Sequence, residues 1–261
     1  MARKKSNTIK TKAKKVSGSS SKPVVAFNQI RFETVTNEQM FETLIKDRSI
    51  WAERQINLDE LPLSVHRNLQ CRNWLTLCKD LQPLPATLIR EFYSNLYICS
   101  DDNLSTWIRA QSFVITKDVV FGALNVPHVQ RPTYPYSECP RISDVMNLLC
   151  KRSVTWGSNP RINSSEFTEF NYIFFKIACH NIFLISHVHI IPIERCFFFL
   201  YALVIDASIF FPSFFIQMLA EAHRSKSRKH GLFFPVFIYR VLNFLQLENF
   251  LSLKLTTSQP P

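Results

Sequence analysis

Four carboxylates lie where metal-dependent chemistry on nucleic acid could use them: Asp101, Asp102, Glu194 and Asp206. An enzyme that cuts DNA gathers carboxylates around two metal ions, which stabilise the attacking and the leaving oxygens. Asp101 and Asp102 are adjacent, so their side chains diverge in most backbones and suit a loop or a cap. Asp206 is interpreted as the cap of the helix that follows it, and no strand-rich nuclease core surrounds any of the four. We therefore predict no catalytic residue and no metal site.

Cysteine and histidine spacing indicates no nucleophile and no zinc site. Cys179 and His180 are neighbours in sequence, whereas Cys/His catalysis requires residues that meet in space. His187 and His189 point to opposite sides of a helix, or to one side of a strand, and are interpreted as core residues. No CxxC pair occurs, so the common zinc-ribbon and zinc-finger patterns are absent.

The numbers of glycines and cysteines exclude some classes of protein and indicate the redox compartment. Four glycines in 261 residues are too few for a P-loop or a dinucleotide fingerprint, so no nucleotide cofactor is predicted. The seven cysteines are an odd number without an N-terminal signal peptide, which predicts a reducing, intracellular compartment. Cys71 and Cys78 would lie about 10 Å apart on one helix, too far for a disulfide, and are interpreted as core thiols.

The N-terminal residues carry most of the positive charge. Eight of the net eleven charges fall within residues 1–22, which contain no acid, and this composition predicts a disordered basic tail over residues 1–26. Such a tail would serve nuclear import or contact phosphates; the alternative is a solubilising tail. The candidate contact residues are Arg3, Lys4, Lys5, Lys10, Lys12, Lys14 and Lys15.

A second basic cluster, HRSKSRKH at residues 223–230, follows a predicted helix. Its cations are Arg224, Lys226, Arg228 and Lys229, and they could contact phosphate. The alternative is a solvated loop between two helices.

The densest apolar material, residues 171–220, must be either a core or a membrane span. Asp206 and Pro212 divide the run from 196 to 220, because a buried carboxylate and a helix-breaking proline both disfavour a continuous span. We predict three core helices, at about 165–185, 192–205 and 209–224. Membrane association through residues 171–220 is the alternative.

The remaining pattern is mostly helical. Asn37 is the predicted N-cap of a first helix, and residues 86–97 form a clear amphipathic helix. Strand formers over 105–115 predict one β-hairpin with a turn near Ala110 and Gln111. Thr116 then caps a helix. Further helices are predicted from Ser143 and over 233–247. The Pro-rich stretch 128–140 is interpreted as a connector, although it could present Tyr134 and Tyr136 to a partner.

Three segments carry a family resemblance: NWLTLCKDL (73–81), FYSNLY (92–97) and TWIRAQSFVITKDVVFGALNVP (106–127), continued by GLFFPVFIY (231–239). With these segments the chain resembles the plant transposon protein domain, which occurs in proteins derived from mobile elements and is related in layout to the plant mobile domain. The resemblance covers about residues 50–247 as a distributed pattern without a catalytic signature.

One residue departs from the family pattern. The family usually has Gly after the arginine of the hairpin, where this chain has Ala110 after Arg109. If the position requires a positive φ, Ala adds about 1 kcal/mol of strain. Either the turn differs, or this copy of the element is decaying; the chain also ends soon after the domain, as a truncated copy would.

These observations predict a mainly α, multi-helical domain over residues 27–250 with one small β-hairpin, between the basic tail and a frayed terminus at 251–261. The predicted function is that of a non-enzymatic, nuclear, transposable-element-derived module that binds protein or nucleic acid. The alternatives are a nuclease or transposase component with an unrecognised acidic metal site, and the membrane-associated protein described above.

Overall fold

The computed structural model describes residues 26–79, 82–99, 103–151, 161–184 and 190–245, with the backbone alone at 161–162 and 190–196. The predicted tail before residue 26, the C-terminal segment 251–261, the Asp101/Asp102 pair, and His187 and His189 lie outside the described residues.

The first helix, α1 (Val35–Met40), continues as a π-helical turn, Phe41–Ile45. Its N-cap is Thr34, whose hydroxyl accepts the N–H of Asn37 at 3.2 Å. The prediction that Asn37 is the N-cap was wrong. Asn37 lies within α1, and its buried side chain donates to the Asn95 side chain at 3.0 Å. The Asn37 side chain is therefore engaged in a tertiary hydrogen bond, and Thr34, three residues earlier, caps the helix.

Next come β1 (Ile50–Trp51), α2 (Leu63–Cys71) and α3 (Ala86–Ser94), with 3₁₀ turns at Leu58–Glu60 and Leu75–Leu77. Helix α3 confirms the amphipathic prediction, since Leu88, Ile89 and Phe92 are buried. Helix α2 ends at Cys71, so Cys71 and Cys78 do not share a helix face. Cys78 is a buried thiol as predicted, whereas Cys71 is exposed.

A three-stranded antiparallel sheet follows, formed by β2 (Tyr97–Ile98), β3 (Leu104–Ile108) and β4 (Gln111–Ile115) in the order β2-β3-β4. The β3–β4 pair is the predicted hairpin, closed by Ile108 opposite Gln111. Strand β2 was not predicted, because two residues carry no alternation pattern. The inner face of the sheet is buried through Leu104, Ile108, Phe113 and Ile115.

The hairpin turn places both Arg109 and Ala110 in the left-handed region, with φ of 52° and 64°. Two consecutive positive φ values are typical of the type I′ turn, which favours Gly and Asn. The turn therefore has a geometry that favours Gly, although Ala110 carries a Cβ.

The left-handed backbone conformation is unfavourable for Ala110, because its Cβ approaches the following carbonyl oxygen. Ala110→Gly should therefore raise the free energy of unfolding by about 1 kcal/mol. Urea unfolding followed by tryptophan fluorescence measures this change. The control, Ala123→Gly in helix α4, should have the opposite sign, because glycine destabilises a helix by a similar amount. Equal destabilisation by both substitutions would contradict strain at the turn.

Helix α4 (Lys117–Leu124) begins at the predicted cap, with the Thr116 hydroxyl accepting the Val119 N–H at 3.2 Å. Helix α5 (Ile142–Leu149) lies after the Pro-rich stretch. That stretch is a connector, as predicted: Tyr134 is buried, with its ring centroid 5.5 Å from those of Tyr136 and Phe199. The tyrosines thus pack inward.

The apolar stretch forms α6 (Glu169–Ile177) with a π-helical extension Ala178–Ile182, α7 (Ile193–Val204) and α8 (Phe211–Arg224). These helices confirm the three predicted ones. The last helix, α9, spans Pro235–Phe244. Phe199 of α7 is central to the core, because its ring lies 5.0 to 6.2 Å from those of Phe183, Tyr134, Phe214 and Trp74.

Asp206 does not cap α8, contrary to the prediction. It follows α7 in a left-handed conformation (φ 56°), and its carboxylate accepts a hydrogen bond from Arg72 at 2.9 Å. Helix α8 begins after Phe210 without a side-chain cap. The chain reverses immediately after α7, and Asp tolerates the left-handed conformation that this reversal requires.

Two short strand pairs join distant parts of the chain. β7 (Leu232–Phe233) pairs in parallel with β1, and β5 (Arg161–Asn163) pairs antiparallel with β6 (Ile190–Pro192). Within the described ranges, the structure has no helix long and apolar enough to cross a membrane.

Candidate nucleic-acid interface

The segment between α8 and β7 brings one predicted set of cations together. Arg224, Lys226, Arg228 and Lys229 are all exposed, and residues 224–229 are called the basic segment below. Two serines shape it: the Ser225 hydroxyl accepts the N–H of Ser227, and the Ser227 hydroxyl accepts the N–H of Lys229, each at 3.3 Å. Four cationic side chains therefore project into solvent from six consecutive residues.

A buried arginine fixes both ends of the basic segment. Arg48 is 1% exposed and donates to the carbonyls of Ala222 (3.0 Å), His230 (2.7 Å) and Gly231 (3.0 Å). Ala222 lies in the last turn of α8, where unpaired carbonyls and the helix dipole favour a cation. Sequence reasoning missed Arg48, because its three acceptors are backbone atoms more than 170 residues away.

Gly231 ends the segment against the indole ring of Trp51. A Cβ at residue 231 would lie 2.6 Å from that ring, so only glycine fits without displacing it. The following residue, Leu232, donates its N–H to the Ser49 carbonyl at 2.8 Å and starts β7. The exit of the basic segment is thereby held to β1.

The basic segment also contacts the π-helical turn Phe41–Ile45. The Arg228 guanidinium donates to the Thr43 carbonyl at 2.8 Å. Nearby Lys46 pairs with Glu42 at 2.7 Å, and this hydrogen bond raises the pKa of the exposed Lys46 ammonium. Glu42 and Asp47 are acidic side chains beside Lys46, so these three residues together place a net charge of −1 near Arg228.

The environment of the two histidines flanking the segment favours their neutral form. His223 lies with Nδ1 3.1 Å from the Tyr93 carbonyl oxygen, and the His230 ring packs on Phe233 with a centroid distance of 5.1 Å. Burial lowers the pKa of both imidazoles below their ordinary value. The charge of the segment therefore comes from its four lysines and arginines.

The Cys179–His180 pair, for which no catalytic role was predicted, lies in the helical core. Cys179 is buried and His180 is half-buried in the π-helical extension of α6. Among the residues with described side chains, no group of three or more His, Cys, Asp or Glu is arranged to hold a metal ion. The side chain of Glu194 and the seven tail residues from Arg3 to Lys15 fall outside that part of the chain.

Fold and surface together define a mainly α-helical domain with an aromatic core and a fixed, exposed basic segment. Residues 70–245 match the family described as "Putative plant retrotransposon-related domain", which is more than half of the 261 residues. The chain therefore belongs to this family, which confirms the transposon-derived origin that the sequence resemblance implied. Searches of curated proteins and of solved structures found no match.

Proposed function

We propose that this retrotransposon-related protein is a non-enzymatic, nuclear module that binds nucleic acid through phosphate contacts. The observation that carries the proposal is the basic segment, whose four exposed cations extend from a backbone anchored by Arg48. An anchored backbone loses little conformational freedom on binding, so its cations are better placed for phosphates than those of a free loop.

The N-terminal cations support the same proposal from the sequence. The cluster Lys12, Lys14 and Lys15 fits a nuclear address, and the wider set from Arg3 to Lys15 could neutralise further phosphates. A protein partner for the folded domain is the second candidate. Nucleic-acid binding through the tail alone would favour this second candidate, a protein partner for the folded domain.

Neutralising the basic segment should weaken nucleic-acid binding and reduce its salt dependence. Each phosphate contact contributes about 0.9 to the slope of log affinity against log salt on duplex DNA. The variant Arg224→Gln, Lys226→Gln, Arg228→Gln and Lys229→Gln should therefore lower the slope by up to about 3.6 and bind roughly 10- to 100-fold more weakly at about 100 mM salt. Fluorescence anisotropy with labelled oligonucleotides, in the full chain, measures both quantities.

The matched control removes the same charge elsewhere. Arg67, Lys79, Arg131 and Lys151 are exposed and scattered over the domain, so replacing all four with Gln tests net charge alone. Arg228 also donates to Thr43, so a thermal melt checks that the segment variant remains folded. If both quadruple variants weaken nucleic-acid binding equally, the basic segment acts only through the net charge of the protein, and the proposed site is overturned.

A further inference from the structure

We propose that Arg54, Lys176 and His180 form a second phosphate-binding site for the nucleic-acid backbone, beside the π-helical extension of α6. This inference rests on the proposed function. It adds phosphate contacts that neither predicted basic cluster includes.

A buried asparagine holds the backbone of Arg54 against the π-helical extension. Asn181 is 1% exposed, and its side-chain amide donates to the Arg54 carbonyl at 2.8 Å, across 127 positions of sequence, and to the Leu77 carbonyl at 3.2 Å. The preceding residue, Glu53, accepts two N–H groups at the start of α9. Arg54 itself is exposed. It therefore extends toward solvent from a backbone that is fixed by its neighbours.

Lys176 and His180 lie four residues apart, where α6 continues into its π-helical extension. Residues at this spacing are neighbours on a helix surface. The Lys176 ammonium lies 5.2 Å from the centre of the Tyr172 ring, one turn earlier, and this cation–π contact limits its movement. Both Lys176 and His180 are half-buried, so their polar ends are presented from a packed helix.

The charges of Arg54 and Lys176 both act on the His180 ring. Burial lowers the pKa of this imidazole, and the two cations lower it further. Two cations held near one imidazole create a positive local potential, which attracts an anion. The neutral imidazole can donate its ring N–H to a phosphate oxygen, so all three side chains suit the same ligand.

The helix end alone does not explain this arrangement. The C-terminal end of a helix favours nearby cations, and this effect accounts for a lysine in the last turn of α6. It does not account for Arg54, which lies outside the helices and brings a second positive charge to the same place. A bound phosphate would neutralise both cations at once.

The site lies within reach of the basic segment. Arg54 follows Arg48, the anchor of that segment, by six residues, so their Cα atoms are at most about 22 Å apart. A duplex of about 20 base pairs is about 68 Å long and exceeds this separation. One nucleic-acid backbone can therefore supply phosphates to both sites, whereas free inorganic phosphate would bind each site separately.

The test removes the two permanent charges in the full chain. On a labelled duplex of about 20 base pairs, Arg54→Gln with Lys176→Gln should lower the salt slope by up to about 1.8 and weaken binding roughly 3- to 10-fold at about 100 mM salt. The matched control is Arg67→Gln with Lys151→Gln, which changes the net charge equally at two exposed positions and should leave the slope nearly unchanged. A thermal melt checks that both variants remain folded.

The His180 imidazole supplies a second readout. Its NMR signals, assigned by their absence in His180→Gln, should shift when the duplex is added to the wild type, but not in Arg54→Gln with Lys176→Gln. Inorganic phosphate, added at the same phosphate concentration as the duplex, should leave the signals in place. A shift of equal size with inorganic phosphate would assign the site to free phosphate and overturn the contact with nucleic acid.

A salt slope in Arg54→Gln with Lys176→Gln equal to that of the control, while neutralising the basic segment still lowers the slope, would overturn this site and keep the proposed function. A slope lowered by Arg54→Gln with Lys176→Gln but not by neutralising the basic segment would support this site and overturn the basic segment as the interface. Absence of nucleic-acid binding by the wild-type chain would overturn both.

Discussion

Arg48→Met should lower the free energy of unfolding by about 3 to 5 kcal/mol, because it leaves three buried carbonyl groups without donors. The side chain is 1% exposed and is the donor to Ala222, His230 and Gly231. Methionine has a similar apolar length, so the loss reports the missing hydrogen bonds more than a cavity. Equilibrium urea unfolding measures it.

Arg48→Lys keeps the charge but cannot place donors on all three carbonyls, so it should cost about half as much. Arg67→Met on the exposed face of α2 is the control and should change stability by less than about 0.5 kcal/mol. Arg48→Lys should also weaken nucleic-acid binding severalfold, since the basic segment loses part of its anchor. Unchanged stability in Arg48→Met would show that the segment is held by other contacts.

Glu53→Gln should gain stability relative to the wild type by about 3 kcal/mol as pH rises from about 5 to 8. Glu53 is buried, and its two carboxylate oxygens accept the N–H groups of Val236 (3.2 Å) and Phe237 (3.0 Å) at the start of α9. Burial raises the pKa of Glu53 to about 7, against partial lowering by backbone N–H donors and by Arg240.

The sign follows from proton uptake. A folded-state pKa of about 7, above the ordinary value near 4.5, means that the native state of the wild type binds more protons than the unfolded state between these limits. Its stability contribution is therefore present at low pH and is lost as pH rises through about 7. Glutamine has no such loss, so the difference between the two proteins isolates Glu53.

Half-buried histidines titrate in the same window with the opposite sign. Burial lowers the pKa values of His180, His223 and His230, so their contribution to stability falls as pH decreases through the ordinary imidazole value. The histidine contributions are the same in the wild type and in Glu53→Gln, so they cancel in the stability difference between the two proteins. Glu138→Gln, at an exposed position, controls for the loss of one charge. A pH-independent difference for Glu53→Gln would contradict the raised pKa.

The apolar pattern alone located the main helices. Predicted bounds of 192–205 and 209–224 compare with Ile193–Val204 and Phe211–Arg224, because long apolar segments interrupted by Asp206 and Pro212 leave few other solutions. The hairpin was found equally well from its strand formers. Thr116 was recognised as a cap because its partner, Val119, is three residues away.

Predictions failed where a side chain has its partner far along the chain. Asn37 and Asp206 both belong to capping residue types, but their side chains bind Asn95 and Arg72. Strand β2 is two residues long and exists only through its pairing with β3. Local spacing contains no information about such contacts.

The sequence by itself determined the mainly α-helical class, the hairpin and the identity of the cationic residues, since each depends on composition or on neighbours within a few positions. It also determined the family, through a resemblance distributed along the chain. Only the tertiary structure decided that Arg48 anchors the basic segment and that Glu53 caps α9. The physical reason is that hydrogen-bond donors, acceptors and rings act within a few ångströms in space, whatever their separation along the chain.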